Sequence, residues 1–256
     1  SFIYSRAKNE ITELLTTPTI RDMIGYSTSA TSQGGFARAG YPLKSIFSVP
    51  FNGLNDRGLP TFLDERNQST IGGIRFDSRN VDFLKYAGTL IPTDKGSFSN
   101  TFHYKGISLG VVLTYSYGNV VRLRKLSNIY TDYGNLPREL NNRWQFSGDE
   151  AKTDIPVVYT TYTQQVYGYN EVIQAYNTYD YSDIRIAKGD NIRLKEISLG
   201  YTFDKDFLRE TRIRQLSVKL QATNLALLYA DKRLNGDDPD YLANGYTPIS
   251  PKRLIF

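Results

Sequence analysis

The sequence has no cysteine and only one histidine, which limits the chemistry it can perform. Without cysteine it forms neither a disulfide nor a thiolate metal site, which argues against a small secreted scaffold. With His103 alone it cannot assemble a Ser-His-Asp triad or a multi-histidine metal centre within this chain. We therefore predict no enzymatic activity, no catalytic residues and no cofactor.

Long hydrophobic runs are also missing. Hydrophobic residues make up 40% of the 256 residues, the mean hydropathy is −0.42, and no run of about 18 apolar residues occurs. This excludes a helical membrane protein, so a membrane-bound form would have to be a β-barrel. The length is sufficient for a sizeable core in one large domain or two ordinary ones.

The charge is modest and scattered. The 31 basic and 26 acidic residues leave a net charge of +5, without a basic cluster of the kind that nucleic-acid binding requires. We interpret this charge as solvated surface and predict no nucleic-acid partner. The 20 tyrosines and 13 phenylalanines are typical of a β-rich chain.

Alternation of apolar and polar residues is the main signal in the chain. Residues 107–117 place Ile, Leu, Val and Tyr on one face and Ser, Gly and Thr on the other. The same alternation in 98–104 predicts a partner strand, joined by a tight turn at Lys105–Gly106. This β-hairpin is the clearest unit in the sequence.

A second pair of strands is predicted over 191–203 and 213–225. In the first of them the apolar set changes parity between Leu194 and Ile197. Such a slip indicates either a β-bulge near Lys195 and Glu196 or a strand whose beginning lies outside the apolar zone.

The connections between these strands alternate in length. The turns at 105–106 and 204–212 are short, whereas 119–190 and 226–250 are long and rich in Tyr, Asn, Asp, Gly and Pro. Transmembrane barrels show this alternation, and strands of 9 to 11 residues suffice to cross the hydrocarbon. Two classes stay open on pattern alone: a transmembrane barrel and a soluble all-β sandwich that binds glycans or proteins through tyrosine-rich loops.

Several segments, in order, resemble the C-terminal part of SusC/RagA-type TonB-dependent outer-membrane transporters. The resemblance covers nearly the whole chain and lies in GYPLKSIFSVPFNGLNDRGLPTFLD (40–64), FSNTFHYKGISLGVVLTYSYGNVVRL (98–123), NRWQFSGDEAKTDIP (142–156), GDNIRLKEISLGYTFD (189–204) and LSVKLQATNLALLYADKRLNGDDPD (216–240).

This resemblance implies an all-β fold, an antiparallel transmembrane β-barrel. Residues 1–256 would form the C-terminal portion, about eight strands, of one large plugged barrel. The N-terminal extension, the plug and the earlier strands would lie outside this chain, which we expect to be a mature fragment of a longer protein. Phe256 would be the terminal aromatic residue, or the chain would continue past it. A self-contained barrel of eight strands is the third architecture considered.

The resemblance also implies a function. The family actively imports nutrient oligomers, oligosaccharides foremost and peptides in some members, across the outer membrane of Bacteroidetes. The implied partners are a SusD-like surface lipoprotein, TonB acting through the missing N-terminal region, and outer-membrane lipid. The periplasmic C-terminus of the family would place 119–190 and 226–249 outside the cell.

Under this interpretation one strand face meets lipid, with aromatic girdles near the strand ends. Arg193 and Lys195 are expected at the extracellular rim or pointing inward, because a lipid-facing cation at the midplane costs about 2–4 kcal/mol. His103 is expected to be a polar residue of the lumen, the interior of the barrel. The predicted lipid-facing residues are Leu109, Val111, Leu113, Leu199, Tyr201, Phe203, Val218 and Leu220.

Two loop features have both a functional and a structural interpretation. The tyrosine-rich stretch 157–181, with Trp144, predicts a surface for substrate or a partner, or else a small core that stabilises a long loop. Its candidate contact residues are Trp144, Tyr159, Tyr162, Tyr167 and Tyr169. The acidic turn 235–240 offers Asp237, Asp238 and Asp240 as weak calcium ligands, although its spacing does not match an EF-hand and a solvated turn is the simpler interpretation.

Overall fold

The computed structural model describes residues 1–26, 37–126, 138–204, 208–209, 213–244 and 253–255. Most of its regular structure is β-strand, and the helices are short. The strands are β1 (Phe2–Arg6), β2 (Ser45–Ser48), β3 (Phe51–Leu54), β4 (Pro60–Leu63), β5 (Ser69–Thr70), β6 (Lys85–Thr89), β7 (Asp94–Tyr104), β8 (Ile107–Tyr117), β9 (Val120–Arg122), β10 (Ile186–Lys188), β11 (Asn191–Thr202), β12 (Ser217–Ala230) and β13 (Arg253–Ile255). The α-helices are α1 (Ile20–Ile24), α2 (Thr161–Tyr167), α3 (Tyr169–Asp180) and α4 (Pro239–Ala243).

One antiparallel sheet contains the long strands, and we call it the main sheet. Its strand order is β1-β7-β8-β11-β12-β13, and its four central strands are 11, 11, 12 and 14 residues long. The strand predicted over 107–117 is confirmed. The strand predicted over 213–225 instead runs from Ser217 to Ala230, because residues 226–230 continue the ladder with the start of β11.

The turn between β7 and β8 has the conformation that its sequence predicts. Lys105 and Gly106 both have positive φ, 45° and 82°, which is typical of a two-residue type I′ turn. Such a turn matches the right-handed twist of the flanking strands, so it fixes the register from Asp94 opposite Tyr117 to Tyr104 opposite Ile107. The predicted hairpin is confirmed.

The predicted bulge near Lys195 is also confirmed. Between Leu194 and Glu196 the register of β11 shifts against both of its neighbours, β8 and β12. Leu194 faces Leu113 and Glu196 faces Val112, so Lys195 is an extra residue relative to β8. The bulge restores the apolar alternation and keeps Leu194 and Ile197 on the same face of the sheet.

All long connections leave the main sheet at one end. Residues 7–93 follow the Arg6–Asp94 pair, and 118–190 follow Tyr117 and return at Asn191, which lies opposite Ser116 and Ala230. At the opposite end are the turn 105–106 and the connection 203–216, of which 205–207 and 210–212 lie outside the described residues. The long connection predicted over 226–250 begins after Ala230 instead, and its residues 245–250 lie outside the described residues. Within the described residues the connections alternate in length as predicted, and 7–93 is a further long connection.

The long connections fold together into one compact unit, which we call the loop module. It contains three small sheets, β2-β6, β3-β4-β5 and β9-β10, together with the helices α1, α2, α3 and α4. Its larger core combines Met23, Phe47 and Leu59 from 7–93 with Val172 and Tyr176 from 118–190. Two connections that are distant in sequence therefore share one hydrophobic core.

The stretch 157–181 is largely helical, and treating it as a loop was wrong. Thr160 caps α2 through a capping box, and Gly168 separates α2 from α3. In α3 the buried residues are Val172, Ala175, Tyr176, Thr178, Tyr179 and Asp180, a spacing close to the helical period. Within the described part of the chain, no helix has the length and apolarity needed to span a membrane.

Candidate functional site

The main sheet has one face that is almost entirely apolar, which we call the apolar face. Its side chains line up in rows across neighbouring strands, such as Phe102–Leu109–Leu199–Leu220. The apolar face comprises Phe98, Phe102, Tyr104, Ile107, Leu109, Val111, Leu113, Leu194, Ile197, Leu199, Tyr201, Val218, Leu220, Ala222 and Leu254. All of the predicted lipid-facing residues within the strands lie on it.

Large side chains of this face are open to the surroundings. The exposed fraction is 58% for Phe102, 40% for Leu109, 48% for Leu199 and 58% for Val218. Phe203, the remaining predicted residue, follows β11 and packs edge-on against Tyr201 with ring centroids 4.9 Å apart. A contiguous exposed apolar surface of this kind marks a site that contacts lipid or another protein.

Aromatic residues concentrate near both ends of the apolar face. Tyr104, Tyr201 and Phe203 lie at the end with the short turns. At the other end the rings of Tyr115 and Tyr117 are 5.8 Å apart, and Phe2 stacks on Tyr115 at 6.2 Å. This distribution matches the two aromatic girdles of membrane barrels.

The opposite face of the main sheet, the polar face, has small hydrophilic side chains. His103 lies on it opposite Ser108, as the sequence predicts for a residue of the lumen. Gly110 and Gly200 allow close contact here, because a Cβ atom at either position would come within 2.6 Å or 2.5 Å of a neighbouring serine Oγ. This face also contains Lys95, Ser97, Ser99, Thr101, Thr114, Ser116, Arg193, Glu196, Ser198, Lys219, Gln221 and Thr223, together with the apolar Val112 and Leu227.

A cavity of ≈ 660 Å³ opens on the polar face at the end that carries the loop module. Arg193 of β11 lines it with only 17% of its side chain exposed, and it forms ion pairs with Asp238 and Asp240 next to α4. Arg193 was expected at the rim or pointing inward, and it lies on the polar face in the wall of this cavity. Lys195 lines the same cavity and donates a hydrogen bond to Asn224 Oδ1 over 2.6 Å.

The three aspartates suggested as calcium ligands are held by two arginines. Arg124 binds Asp237 through both Nε and Nη2, at 2.8 and 2.9 Å. Asp238 pairs with Arg193 and also accepts from the backbone N–H of Asp240, so it caps α4. These carboxylate oxygens face guanidinium groups, and a cation would have to displace both arginines. The geometry therefore assigns the acidic turn to ion pairing.

The predicted aromatic contact surface is divided in the structure. Tyr162 and Tyr169 are 70% and 63% exposed, as expected of contact residues. Tyr159 is not, since it is only 8% exposed and packs against Tyr176 with centroids 4.6 Å apart. Burial also raises the pKa of Tyr159. The prediction that Tyr159 belongs to an external contact surface is therefore wrong, because Tyr159 is part of the core that stabilises the loop module.

Trp144 and Tyr167 have intermediate positions. The indole of Trp144 packs over Gly58, and its Nε1 donates to Glu150 Oε2 at 2.9 Å. Tyr167 is half-buried, and the guanidinium of Arg57 lies 5.6 Å from the centre of its ring. Both side chains therefore stabilise the loop module in addition to any contact that they make outside it.

Two buried arginines of the loop module were not anticipated from the sequence. Arg185 is 2% exposed and forms a double hydrogen bond with Glu139 at 2.7 and 2.9 Å. Arg122, also 2% exposed, donates to the carbonyl of Phe47 at 3.0 Å and lies 4.9 Å from the ring centre of Tyr181. In the sequence, the one sign that these arginines are buried is their position next to the short apolar runs of β9 and β10.

Known proteins resemble this chain in sequence and in structure. No family model matches it. The chain is 27% identical over 174 residues to "TonB-dependent receptor P39" of Formosa agariphila, an alignment that covers 60% of this chain and 15% of the relative. It therefore spans a small part of the length of this curated relative.

Solved structures of RagAB show the same fold. The RagAB peptide transporter superposes with a TM-score of 0.56 and 19% identity, over 88% of this chain and 23% of the other. The RagAB peptide importer matches in its open-open state with a TM-score of 0.58, 17% identity and coverages of 95% and 24%. The closed-closed state of the importer matches with a TM-score of 0.57 and 18% identity, over 93% of this chain and 24% of the other.

The resemblance to SusC/RagA-type TonB-dependent transporters is confirmed. The predicted all-β, antiparallel fold class is confirmed with it, because the main sheet has the fold of part of the RagA barrel. The main sheet has six strands among the described residues, fewer than the expected number of about eight. At these identities the solved structures establish the fold alone. The apolar and polar faces of this transporter-like sheet are the features from which a function can be argued.

Proposed function

We propose that this chain is the C-terminal part of the barrel of an outer-membrane, TonB-dependent importer of nutrient oligomers. The observation that supports this proposal best is the contrast between the two faces of the main sheet. One face exposes Leu, Val, Phe and Tyr, and the other carries Ser, Thr and Gly. A barrel wall needs this division, because its outside contacts lipid and its inside lines an aqueous lumen.

The strand lengths agree with this proposal. A strand of 11 residues, such as β8, is about 37 Å long at 3.4 Å per residue. With a tilt of about 45° it spans about 26 Å, close to the apolar band of about 25 Å in outer-membrane barrels. The loop module then lies on the extracellular side, and the turn 105–106 lies in the periplasm.

The complete transporter would contain parts that lie outside this chain. We infer that residues 1–256 belong to a single barrel domain, and that the N-terminal extension, the plug and the earlier strands precede them. Energy would be supplied by TonB acting on that N-terminal region. A SusD-like surface lipoprotein would cover the loop module, where Tyr162 and Tyr169 offer exposed aromatic contacts. The setting would be a Bacteroidetes outer membrane.

For the substrate we propose an oligomer, with oligosaccharide as the first choice and peptide as the second. Peptide is the substrate named for RagAB. Transport then requires no covalent chemistry in this chain. The lumen binds and passes the oligomer, and movement of the plug opens the path to the periplasm.

Adjacent residues on opposite faces of β12 provide the experiment. Leu220 lies on the apolar face opposite Leu199, and Gln221 lies on the polar face opposite Ser198. In the full-length protein, Leu220→Lys is expected to impair assembly into the outer membrane, because a lipid-facing lysine costs up to about 2–4 kcal/mol depending on depth. Gln221→Lys is the matched control and should assemble normally.

The measurement is the amount of heat-modifiable, protease-resistant protein in isolated outer membranes. Equal assembly of both variants would contradict the lipid-facing assignment. Recovery of the folded unmodified protein from the aqueous fraction would instead support the soluble binding module, in which Leu113→Lys unfolds the protein in plain buffer. Co-purification of a lipoprotein with the detergent-solubilised protein tests the partner separately.

A further inference from the structure

The bulge in β11 creates an unusual concentration of polar side chains in the wall of the polar face. Relative to β8, β11 has one additional residue, Lys195. On its other side β11 pairs with β12, where Leu194 lies opposite Ala226 and Glu196 opposite Thr223, so β12 has one additional residue relative to β11. Asn224, within that irregularity, has φ 54° in the left-handed region. Bulges of this kind re-aim side chains and are frequent beside functional sites. Here they direct Lys195 and Asn224 into the cavity of ≈ 660 Å³.

The charges around this cavity favour an anionic group. Lys95, Arg193 and Lys195 line it, with Asp238 and Asp240 as the acidic residues in its wall. The two amide side chains of Asn191 and Asn224 add neutral donors and acceptors. Three cations against two anions leave a positive excess in a partly enclosed site, whose lining also includes the apolar Leu194, Leu225 and Leu227. Such a site raises the local concentration of carboxylates.

The protein's own carboxylates show which ligand Arg193 accepts. Asp238 binds Nη1 at 2.6 Å and also contacts Nη2, which is the paired geometry that guanidinium favours with carboxylate. Asp240 lies 2.8 Å from Nη2, yet 47% of its side chain is exposed. Among the described residues, the buried Nε of Arg193 has no hydrogen-bond partner. The carboxylate of a ligand in the lumen can therefore replace that of Asp240 at the guanidinium of Arg193.

We propose that this cavity binds a carboxylate group of the transported oligomer, with Arg193 and Lys195 as its contacts and Asp240 as an internal competitor. The inference rests on the proposed function, since it assigns the substrate an acidic chemical class. A carboxylate that enters along the hydroxyl-lined polar face pairs with Arg193 and releases Asp240. The same chemistry is offered by uronate sugars and by the C-terminus of a peptide.

The experiment uses the full-length protein, purified in detergent, and isothermal titration calorimetry with matched acidic and neutral probes. Trigalacturonate is compared with its methyl ester, and tetra-alanine with its C-terminal amide. We expect the acidic member of one pair to bind at least roughly tenfold more tightly, as charge-assisted hydrogen bonds imply. The pair that shows this difference identifies the source of the carboxylate.

Three variants test the assignment of residues. Lys195→Gln should weaken binding of the acidic probe roughly tenfold, whereas Lys219→Gln, on the same face but outside the cavity, should leave it unchanged. Asp240→Asn should tighten binding of the acidic probe several-fold, because it removes the competitor for Arg193. A purely structural ion pair predicts the reverse sign, or no change, for Asp240→Asn.

The outcomes separate this inference from the proposed function. Equal binding of acidic and neutral probes, or unchanged or weaker acidic binding by Asp240→Asn, overturns the inference and leaves the membrane assignment intact. Normal outer-membrane assembly of Leu220→Lys overturns the membrane assignment. Tighter binding of the acidic probe than of the neutral probe, together with a further increase in acidic-probe affinity in Asp240→Asn, establishes the site.

Discussion

At the level of single residues, the turn around Trp144 depends on two carboxylates. Asp149 accepts hydrogen bonds from the backbone N–H groups of Phe146 at 3.0 Å and Gln145 at 3.2 Å. Glu150 accepts from the Trp144 indole and, at 2.8 Å, from the N–H of Gly148. The N–H of Phe146, with Lys152 and the N–H of Gln145, lowers the pKa of Asp149, and the Trp144 indole chiefly lowers that of Glu150.

We therefore predict that this turn loosens in acid. A carboxyl whose pKa is lowered in the folded protein stabilises it fully above the ordinary pKa, about 4.3 for Glu, and this stabilisation is lost as the pH falls towards the lowered value. Hydrogen exchange of peptides covering 142–155, corrected for the intrinsic pH dependence, should show protection at neutral pH and its loss below about pH 4. Unchanged protection at acid pH would contradict the prediction.

Glu150→Gln provides the control for this titration. The amide oxygen still accepts from the Trp144 indole but carries no titratable charge. We expect weaker protection at neutral pH and a smaller change between neutral and acid conditions. Asp149 remains in this variant, so part of the pH dependence should persist.

Single residues were predictable from the sequence only where a physical cost restricts their position. Arg193 was expected to point inward because a lipid-facing cation is costly, and it does line the cavity. Arg185 was not anticipated, since its burial depends on Glu139, a residue far away in the sequence. Likewise, nothing local to Tyr159 distinguishes a buried tyrosine from an exposed one such as Tyr162.

At the level of elements, the turn that joins β7 and β8 sets the register of the best-defined hairpin. Gly106 has φ 82°, and a Cβ atom there would lie 2.7 Å from the carbonyl oxygen of Thr202. Gly106→Ala is therefore expected to destabilise the barrel by about 1–2 kcal/mol, the cost of a left-handed L-residue. Urea-induced unfolding of the full-length protein in lipid vesicles measures this change.

The neighbouring position offers a comparison with the opposite sign. Lys105 also has positive φ, 45°, and asparagine adopts this region more readily than lysine. Lys105→Asn should leave stability unchanged or raise it slightly. Equal losses for Lys105→Asn and Gly106→Ala would show that the turn conformation does not limit stability.

The sequence predicted strands better than helices. The alternation in β8 has one exception, Val112, which lies on the polar face opposite Ser99 and Glu196. The other positions alternate, so the strand and its orientation were both predictable. In α3 the inward positions are filled partly by Tyr176 and Tyr179, residues that also occur in strands and on surfaces. The helical period was therefore hidden by a composition that also fits β-structure.

At the scale of the whole molecule, the larger core of the loop module is shared between two connections. Leu59 is fully buried in this core, and Val172 and Ala175 of α3 are members of the same cluster. The packing of α3 therefore depends on residues that lie on the far side of the β7–β8 hairpin in the sequence. The two connections should lose structure together.

Leu59→Ala tests this coupling. We expect it to destabilise the loop module by about 2–5 kcal/mol, the usual cost of a leucine-sized core cavity. Hydrogen exchange should rise both in 51–63 and in α3, while β8 and β11 keep their protection. Leu15→Ala, in the same connection but 93% exposed, is the control and should change neither. A loss of protection confined to 51–63 would show that the connections fold independently.

The sequence could not specify this arrangement, although the resemblance predicted the fold class. The alternation of short and long connections was visible because it depends only on length and composition. Which connections share a core depends on contacts between residues far apart in the sequence, such as the hydrogen bond from Gln174 Nε2 to the carbonyl of Ile74, and on clusters that combine Leu59 with Val172. The module was therefore the least predictable part of the fold.

The shared core also fixes an order of folding. Residues 7–93 and 118–190 reach it from opposite sides of the β7–β8 hairpin, whose turn is only two residues long. Closing the hairpin brings together residues that are close in the sequence. Joining the two connections first would close a loop of about a hundred residues, and the entropy lost on closing a loop increases with its length. Once the hairpin has closed, Asp94 and Tyr117 lie opposite each other and hold the end of 7–93 beside the start of 118–190. The β7–β8 hairpin should therefore close before the loop module assembles.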